Sequence, residues 1–77
     1  MSENGANGSD TIEVTVNGDV RQVETGHTVK SFLESLELHP GMVVVERNKE
    51  ILDRDEYEHV QVEAGDILEL VHFVGGG

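Results

Sequence analysis

The residues with chemical potential sit at the end of the sequence, where Phe73-Val74 runs into Gly75-Gly76-Gly77. Glycine has no side chain to clash in a narrow channel, and it reaches backbone conformations closed to other residues. A run of three after an apolar stretch therefore reads as a segment made to be threaded. The bland alternative is a frayed terminus. Val71 and Phe73 precede the glycines at alternate positions, so an extended chain presents both on one face. If Leu68 and Leu70 face the interior, Val71 and Phe73 face out beside the tail, as a docking surface for a partner.

Other candidate groups carry less. His27, His39, His59 and His72 lie at no local ligand spacing, and no His, Asp and Ser arrangement suggests a nucleophile. They read as scattered turn and surface histidines, with His72 alone placed next to the tail. Asp53, Asp55, Glu56 and Glu58 form an acidic run without the glycine and distal glutamate of a calcium loop, so it reads as a solvated loop. There is no cysteine, which excludes disulfides and thiolate metal sites. No metal site is expected.

Composition narrows the classes further. A net charge of −11 repels nucleic acid, and Arg21, Lys30, Arg47, Lys49 and Arg54 do not cluster in sequence. The acidity fits solubility, steering toward a basic partner, or adaptation to high salt. No segment has the length of a membrane span or the pattern of a signal peptide, so a cytoplasmic protein, monomeric when free, is expected. With 77 residues the chain makes one small domain, too small for a deep substrate cavity. A self-sufficient enzyme is disfavoured.

The positioning elements emerge from periodicity. Residues 1–10 read as a disordered lead, 11–74 as the domain and 75–77 as a flexible tail. Thr11 to Val16 alternates strictly, with Ile12, Val14 and Val16 on one face of a strand. Asn17-Gly18 suits a two-residue type I′ turn, and Asp19 to Glu24 returns as the second arm. Val20 and Val23 are three apart, which predicts a bulge or an early strand end. Thr28 reads as an N-cap, with Val29, Phe32, Leu33 and Leu36 forming one helix stripe. His39-Pro40-Gly41 is expected to end that helix. Met42 to Glu46 reads as a buried strand and Arg47 to Glu50 as a polar turn. Ile51-Leu52 is a short strand, and Asp53 to His59 is irregular or a single helical turn anchored by Tyr57. Val60 to Val62 pairs briefly, Glu63 to Asp66 turns, and Ile67 to Val74 is the last strand. This order predicts an α+β fold, a mixed sheet of four to five strands wrapped around one helix.

The stretches "IEVTVNGD", "TGHTVKSFLESLEL", "MVVVERNKEIL" and above all "EAGDILELVHFVGGG" resemble the β-grasp sulfur carriers of the ThiS and MoaD type. The likeness covers residues 11–77 and implies the ubiquitin-like β-grasp. The acidic bias departs from the usual pattern and is similar to the small archaeal modifier proteins. The resemblance implies a carrier and not a catalyst, with no bound cofactor. A ThiF/MoeB-like activating enzyme would use ATP to adenylate the Gly77 carboxylate, with Gly75 and Gly76 lying in its channel. Sulfur would then replace AMP to give a thiocarboxylate for a sulfur-accepting synthase of thiamine, molybdopterin or tRNA sulfur chemistry. The modifier resemblance implies instead conjugation of Gly77 to lysines of target proteins. A passive interaction domain is the remaining alternative.

Overall fold

The computed structural model describes residues 10–73. Strands β1 (Thr11–Val16) and β2 (Asp19–Glu24) form a hairpin, followed by helix α1 (Val29–Ser35) and a 3-10 turn at Pro40–Met42. Strand β3 (Val43–Arg47), the two-residue β4 (Glu50–Ile51), a second 3-10 turn at Arg54–Glu56 and β5 (Ile67–His72) complete the chain. The sheet order is β2-β1-β5-β3-β4. Strand β5 lies in the middle, parallel to β1 and antiparallel to β3. The last strand is thus held from both sides, and the chain reaches its tail from the centre of the sheet.

Local chemistry explains most elements. Asn17 and Gly18 take φ of 50° and 87°, the positive values a type I′ turn requires. The predicted bulge in the second arm is absent: β1 and β2 pair residue for residue from Thr11↔Glu24 to Val16↔Asp19. The regular register puts Val23 opposite Ile12 on the core side and Val20 opposite Thr15 on the other. Val20 is 62% exposed as a result. The edge strand has core to cover at only one of its two valines, and that produces the irregular spacing.

Helix α1 begins as expected. Thr28 caps it by accepting from the Ser31 N–H, while the Ser31 hydroxyl accepts from the Thr28 N–H, a reciprocal box. Its end comes earlier than His39-Pro40-Gly41. The chain turns at Glu37, whose φ is 64°, with Leu38 N–H bonded to Leu33 O and Glu37 N–H to Glu34 O. That is a Schellman ending built on a glutamate where glycine is usual. Pro40 then opens its own 3-10 turn. That turn takes Met42 out of the predicted strand, which instead extends to Arg47. The short strand is Glu50–Ile51, not Ile51-Leu52, because Asn48 and Lys49 (φ 52° and 73°) make a tight turn immediately after Arg47. The last strand ends at His72, and Val74 lies outside the described residues.

The core joins Val14 and Val16 of β1, Val29, Phe32 and Leu33 of α1, Val43 and Val45 of β3, and Leu68 of β5. Tyr57 and Val62 close it from the connection. The Tyr57 hydroxyl donates to Val43 O at 2.8 Å and accepts from Val45 N–H at 3.1 Å. This buried side chain thereby pins the second 3-10 turn to β3. Among the described residues no helix is long and apolar enough to cross a membrane.

Candidate functional site

The candidate site is the C-terminal half of β5 together with the sheet face it shares. Two devices hold this strand in register. At its start, Asp66 is buried and gathers three donors. Its Oδ2 accepts from Glu63 N–H at 2.8 Å and from Arg47 Nε at 2.9 Å, and its Oδ1 accepts from Asn48 Nδ2 at 3.1 Å. Asn48 Oδ1 in turn accepts from Ile67 N–H at 2.9 Å. Burial would raise the Asp66 pKa, but hydrogen bonds from the Glu63 N–H, Arg47 and Asn48 prevail and hold it below the ordinary 3.8. Farther along β5, Asn17 substitutes for a missing strand residue. Its Oδ1 accepts from Leu70 N–H at 2.8 Å and its Nδ2 donates to Leu70 O at 3.3 Å. The turn that closes the hairpin therefore also grips the central strand next to its exit.

Alternation along β5 is as the sequence implied. Leu68 is buried and Leu70 packs against the core, whereas Val71 and Phe73 are 55% and 50% exposed on the opposite face. The Phe73 N–H donates to Met42 O at 2.8 Å, so the chain stays paired to the last described residue. Ile67 and Ile51 are exposed on the same side as Val71, and Val44 pairs with Val71 across β3. Together they form a largely apolar strip on the outer sheet face, which no helix among the described residues covers. Gly75, Gly76 and Gly77 lie outside the described residues.

The histidines are not brought together. His27 Nδ1 lies 2.8 Å from the Ser31 hydroxyl and its ring meets Phe32 edge-on. His39 Nδ1 accepts from Gly41 N–H within the first 3-10 turn. His72 is exposed at the end of β5. Among the described residues no three His, Asp or Glu side chains converge as metal ligands. Asp53, Asp55, Glu56 and Glu58 are exposed, with Asp53 and Glu56 capping their own turn. An open groove of about 540 Å³ between α1 and that turn mixes Lys30 and Arg54 with Glu34 and Glu58, and offers no nucleophile paired to a base.

Asp66 and Asn17 act as positioning residues, a role that their sequence context, which marks both only as turn formers, does not reveal. The available signal was Arg47-Asn48 on one side and an aspartate entering a strand on the other, groups that meet only after β3 and β5 pair.

Comparison with known proteins agrees with this geometry. The model of the ThiS family matches residues 14–77. The chain is 43% identical over 59 residues to the sulfur carrier protein ThiS of Bacillus subtilis, covering 77% of this chain and 89% of that one. It is 38% identical over 66 residues to a thiazole synthase of Magnetococcus marinus, covering 86% of this chain but only 20% of the synthase. The crystal structure of the thiamine biosynthesis protein ThiS from Geobacter metallireducens superposes with a TM-score of 0.72 at 33% identity. That match covers 86% of this chain and all of that one. The architecture is the ubiquitin-like β-grasp.

Proposed function

This chain belongs to the ThiS family, and from that premise we propose that it carries sulfur on the carboxyl group of Gly77. A free carboxylate is a poor acyl donor. An activating enzyme of the ThiF/MoeB type joins it to AMP, consuming ATP and releasing pyrophosphate, and so leaves a good leaving group on the carbonyl carbon. The terminal sulfur of an enzyme persulfide attacks that carbon and AMP departs. A second thiol then cleaves the acyl disulfide, and the thiocarboxylate is free to give its sulfur to an acceptor.

The observation that carries the reading is the family match reaching Gly77, on a fold whose last strand is the central one. Glycines 75 and 76 would lie in the channel of the activating enzyme, and Val71 and Phe73 would dock against its surface. The acceptor best supported is a thiazole synthase. Two relatives of that name, from Magnetococcus marinus and Paramagnetospirillum magneticum, contain a stretch like this chain within a fifth of their length. A carrier and its acceptor encoded as one protein are a natural arrangement for obligatory partners.

The test is intact-mass measurement after incubation with the activating enzyme, ATP and a sulfur donor. A gain equal to sulfur replacing one oxygen is expected, and it should vanish when a residue is added after Gly77. An unchanged mass refutes carriage. Adducts to lysines that survive denaturation would assign the adenylate to protein modification instead.

A further inference from the structure

The outer face of the sheet has an order along β5 that exposure alone does not explain. Counting back from the tail, the outward residues are Phe73, just past the strand, and Val71, Glu69 and Ile67 within it. Across the antiparallel ladder, Val44 stands opposite Val71, and Glu46 stands directly opposite Glu69. Glu46 is also opposite Ile51 of β4. Phe73 N–H bonds to Met42 O and Asn48 N–H to Ile67 O, so hydrogen-bonded pairs recur at every second rung, and Glu46–Glu69 is one of them. Two glutamate side chains that leave facing Cβ atoms roughly 5.5 Å apart repel when both are charged and lower the stability of the sheet. Val44, Glu46, Ile51, Glu69 and Val71 line a shallow depression of about 300 Å³.

The described residues supply no counter-charge here. Arg47, the nearest cation in sequence, points to the other side of the strand, to Asp66 at 2.9 Å and Glu63 at 3.8 Å. Among the described residues no lysine, arginine or histidine lies within ion-pair distance of Glu46 or Glu69. Glu46 is partly buried and shares its depression with Val44, Ile51 and Val71. A repelling pair set in an apolar floor is complementary to one kind of group, a planar cation with an apolar surround. A guanidinium fork can give two N–H donors to each side, which a compact ammonium cannot match.

We propose that this face docks a partner protein that presents an arginine flanked by apolar side chains, with the guanidinium received between Glu46 and Glu69. The apolar neighbours of that arginine lie over Val44, Val71 and Phe73. The four-residue step from Glu69 to Phe73 places the arginine about 13 Å behind Phe73. A second copy of this chain does not fit, because isologous contact would bring four carboxylates together on a molecule of net charge −11. An anionic lipid surface is repelled for the same reason. The activating enzyme is the expected owner of the arginine, and to that extent the inference rests on the reading of Gly77 as an adenylated terminus.

The experiment has two arms. In the first, amide shifts of the labelled full chain are monitored during titration with acetyl-Leu-Arg-Leu-amide and with its citrulline counterpart. Shifts are expected at Val44–Glu46, Ile51 and Glu69–Phe73, with at least tenfold weaker binding for citrulline and for the E46Q/E69Q double variant. The thermal midpoint of that variant should equal or exceed the wild type, since a repulsion is removed. Shifts that are absent, spread over all acidic surfaces, or unchanged in the variant overturn the proposal. In the second arm, the apparent KM of the chain for the activating enzyme should rise about tenfold in the variant with kcat retained, and equal KM values would overturn it. If the wild-type chain is never adenylated, the Gly77 reading fails while the peptide arm still decides the surface.

Discussion

Replacing Asp66 by asparagine tests whether the buried carboxylate holds β5 in place. The native group satisfies Glu63 N–H and Arg47 Nε with one oxygen and Asn48 Nδ2 with the other. An amide keeps a single acceptor. Set at the Oδ2 position, that oxygen still serves two donors, but the new NH2 then faces the NH2 of Asn48. Asn48 cannot turn round without losing its bond to Ile67 N–H. One hydrogen bond is lost in any arrangement, and the two that remain no longer end on a charge. A bond to a charged group contributes about 1.5–3 kcal/mol against roughly 1 for a neutral one, so the variant should lose about 2 kcal/mol. For a domain this small, whose whole stability is on the order of 5 kcal/mol, that is severe. The midpoint should fall by roughly 8–16 °C.

The pH dependence separates this account from a general packing defect. The folded Asp66 carboxyl ionises more readily than the unfolded one, which titrates near 3.8. Its contribution is therefore complete above that value and is lost as pH falls through the lower folded value. Urea unfolding of wild type and Asp66→Asn should differ by about 2 kcal/mol near pH 7, and the gap should narrow in strong acid as the wild type becomes neutral there as well. A gap below about 0.5 kcal/mol near neutrality, or one equal at both pH values, would refute the reasoning.

Three further substitutions probe the positioning of the site. Tyr57→Phe removes the hydroxyl that bridges Val43 O and Val45 N–H inside the core and should cost about 1–3 kcal/mol in urea unfolding. Asn17→Ala leaves Leu70 without its paired side chain; a loss of about 1–2 kcal/mol is expected, with faster amide exchange at Leu70 but not in α1. Glu37→Gly relieves a left-handed residue at the Schellman turn and should raise stability by up to about 1 kcal/mol, so a destabilised variant would contradict the assigned ending of α1.

How much of the fold is legible in the sequence depends on the range of the interactions involved. The hairpin, the Thr28 cap and the helix stripe are decided by residues within a few positions of one another, and each appears where periodicity and turn chemistry put it. The facing of Val71 and Phe73 is legible for the same reason, since strand alternation is local. Pattern fails where a distant partner decides. The Val20 and Val23 spacing looks like a bulge because nothing local says that β2 is an edge strand with half its face uncovered. The helix end is obscured because Pro40 and Gly41 are louder signals than a glutamate in the left-handed region, which Leu33 and Leu38 support through tertiary packing. Asp66 and Asn17 act over 18–19 and 53 residues, beyond any window of pattern.

These long-range contacts share a purpose that the individual bonds do not reveal. Strand β5 meets β1 over only two rungs, Thr15↔Ile67 and Val16↔Leu68, before the hairpin turn takes β1 away. Left so, the end of β5 that bears Val71, with Phe73 just after it, would be an edge on that side, free to fray. Asn17 closes the next rung with its side chain, β3 pairs the opposite side as far as His72, and Asp66 fixes where the strand begins. The strain of αL geometry at Asn17 is small, because a two-residue turn needs that conformation anyway. A chain with a small core has thus committed its polar groups to rigidity at the exit. If a partner docks on this face, as proposed, it would meet a fixed surface up to Phe73, and binding would cost little of the ordering entropy that a frayed strand end would impose.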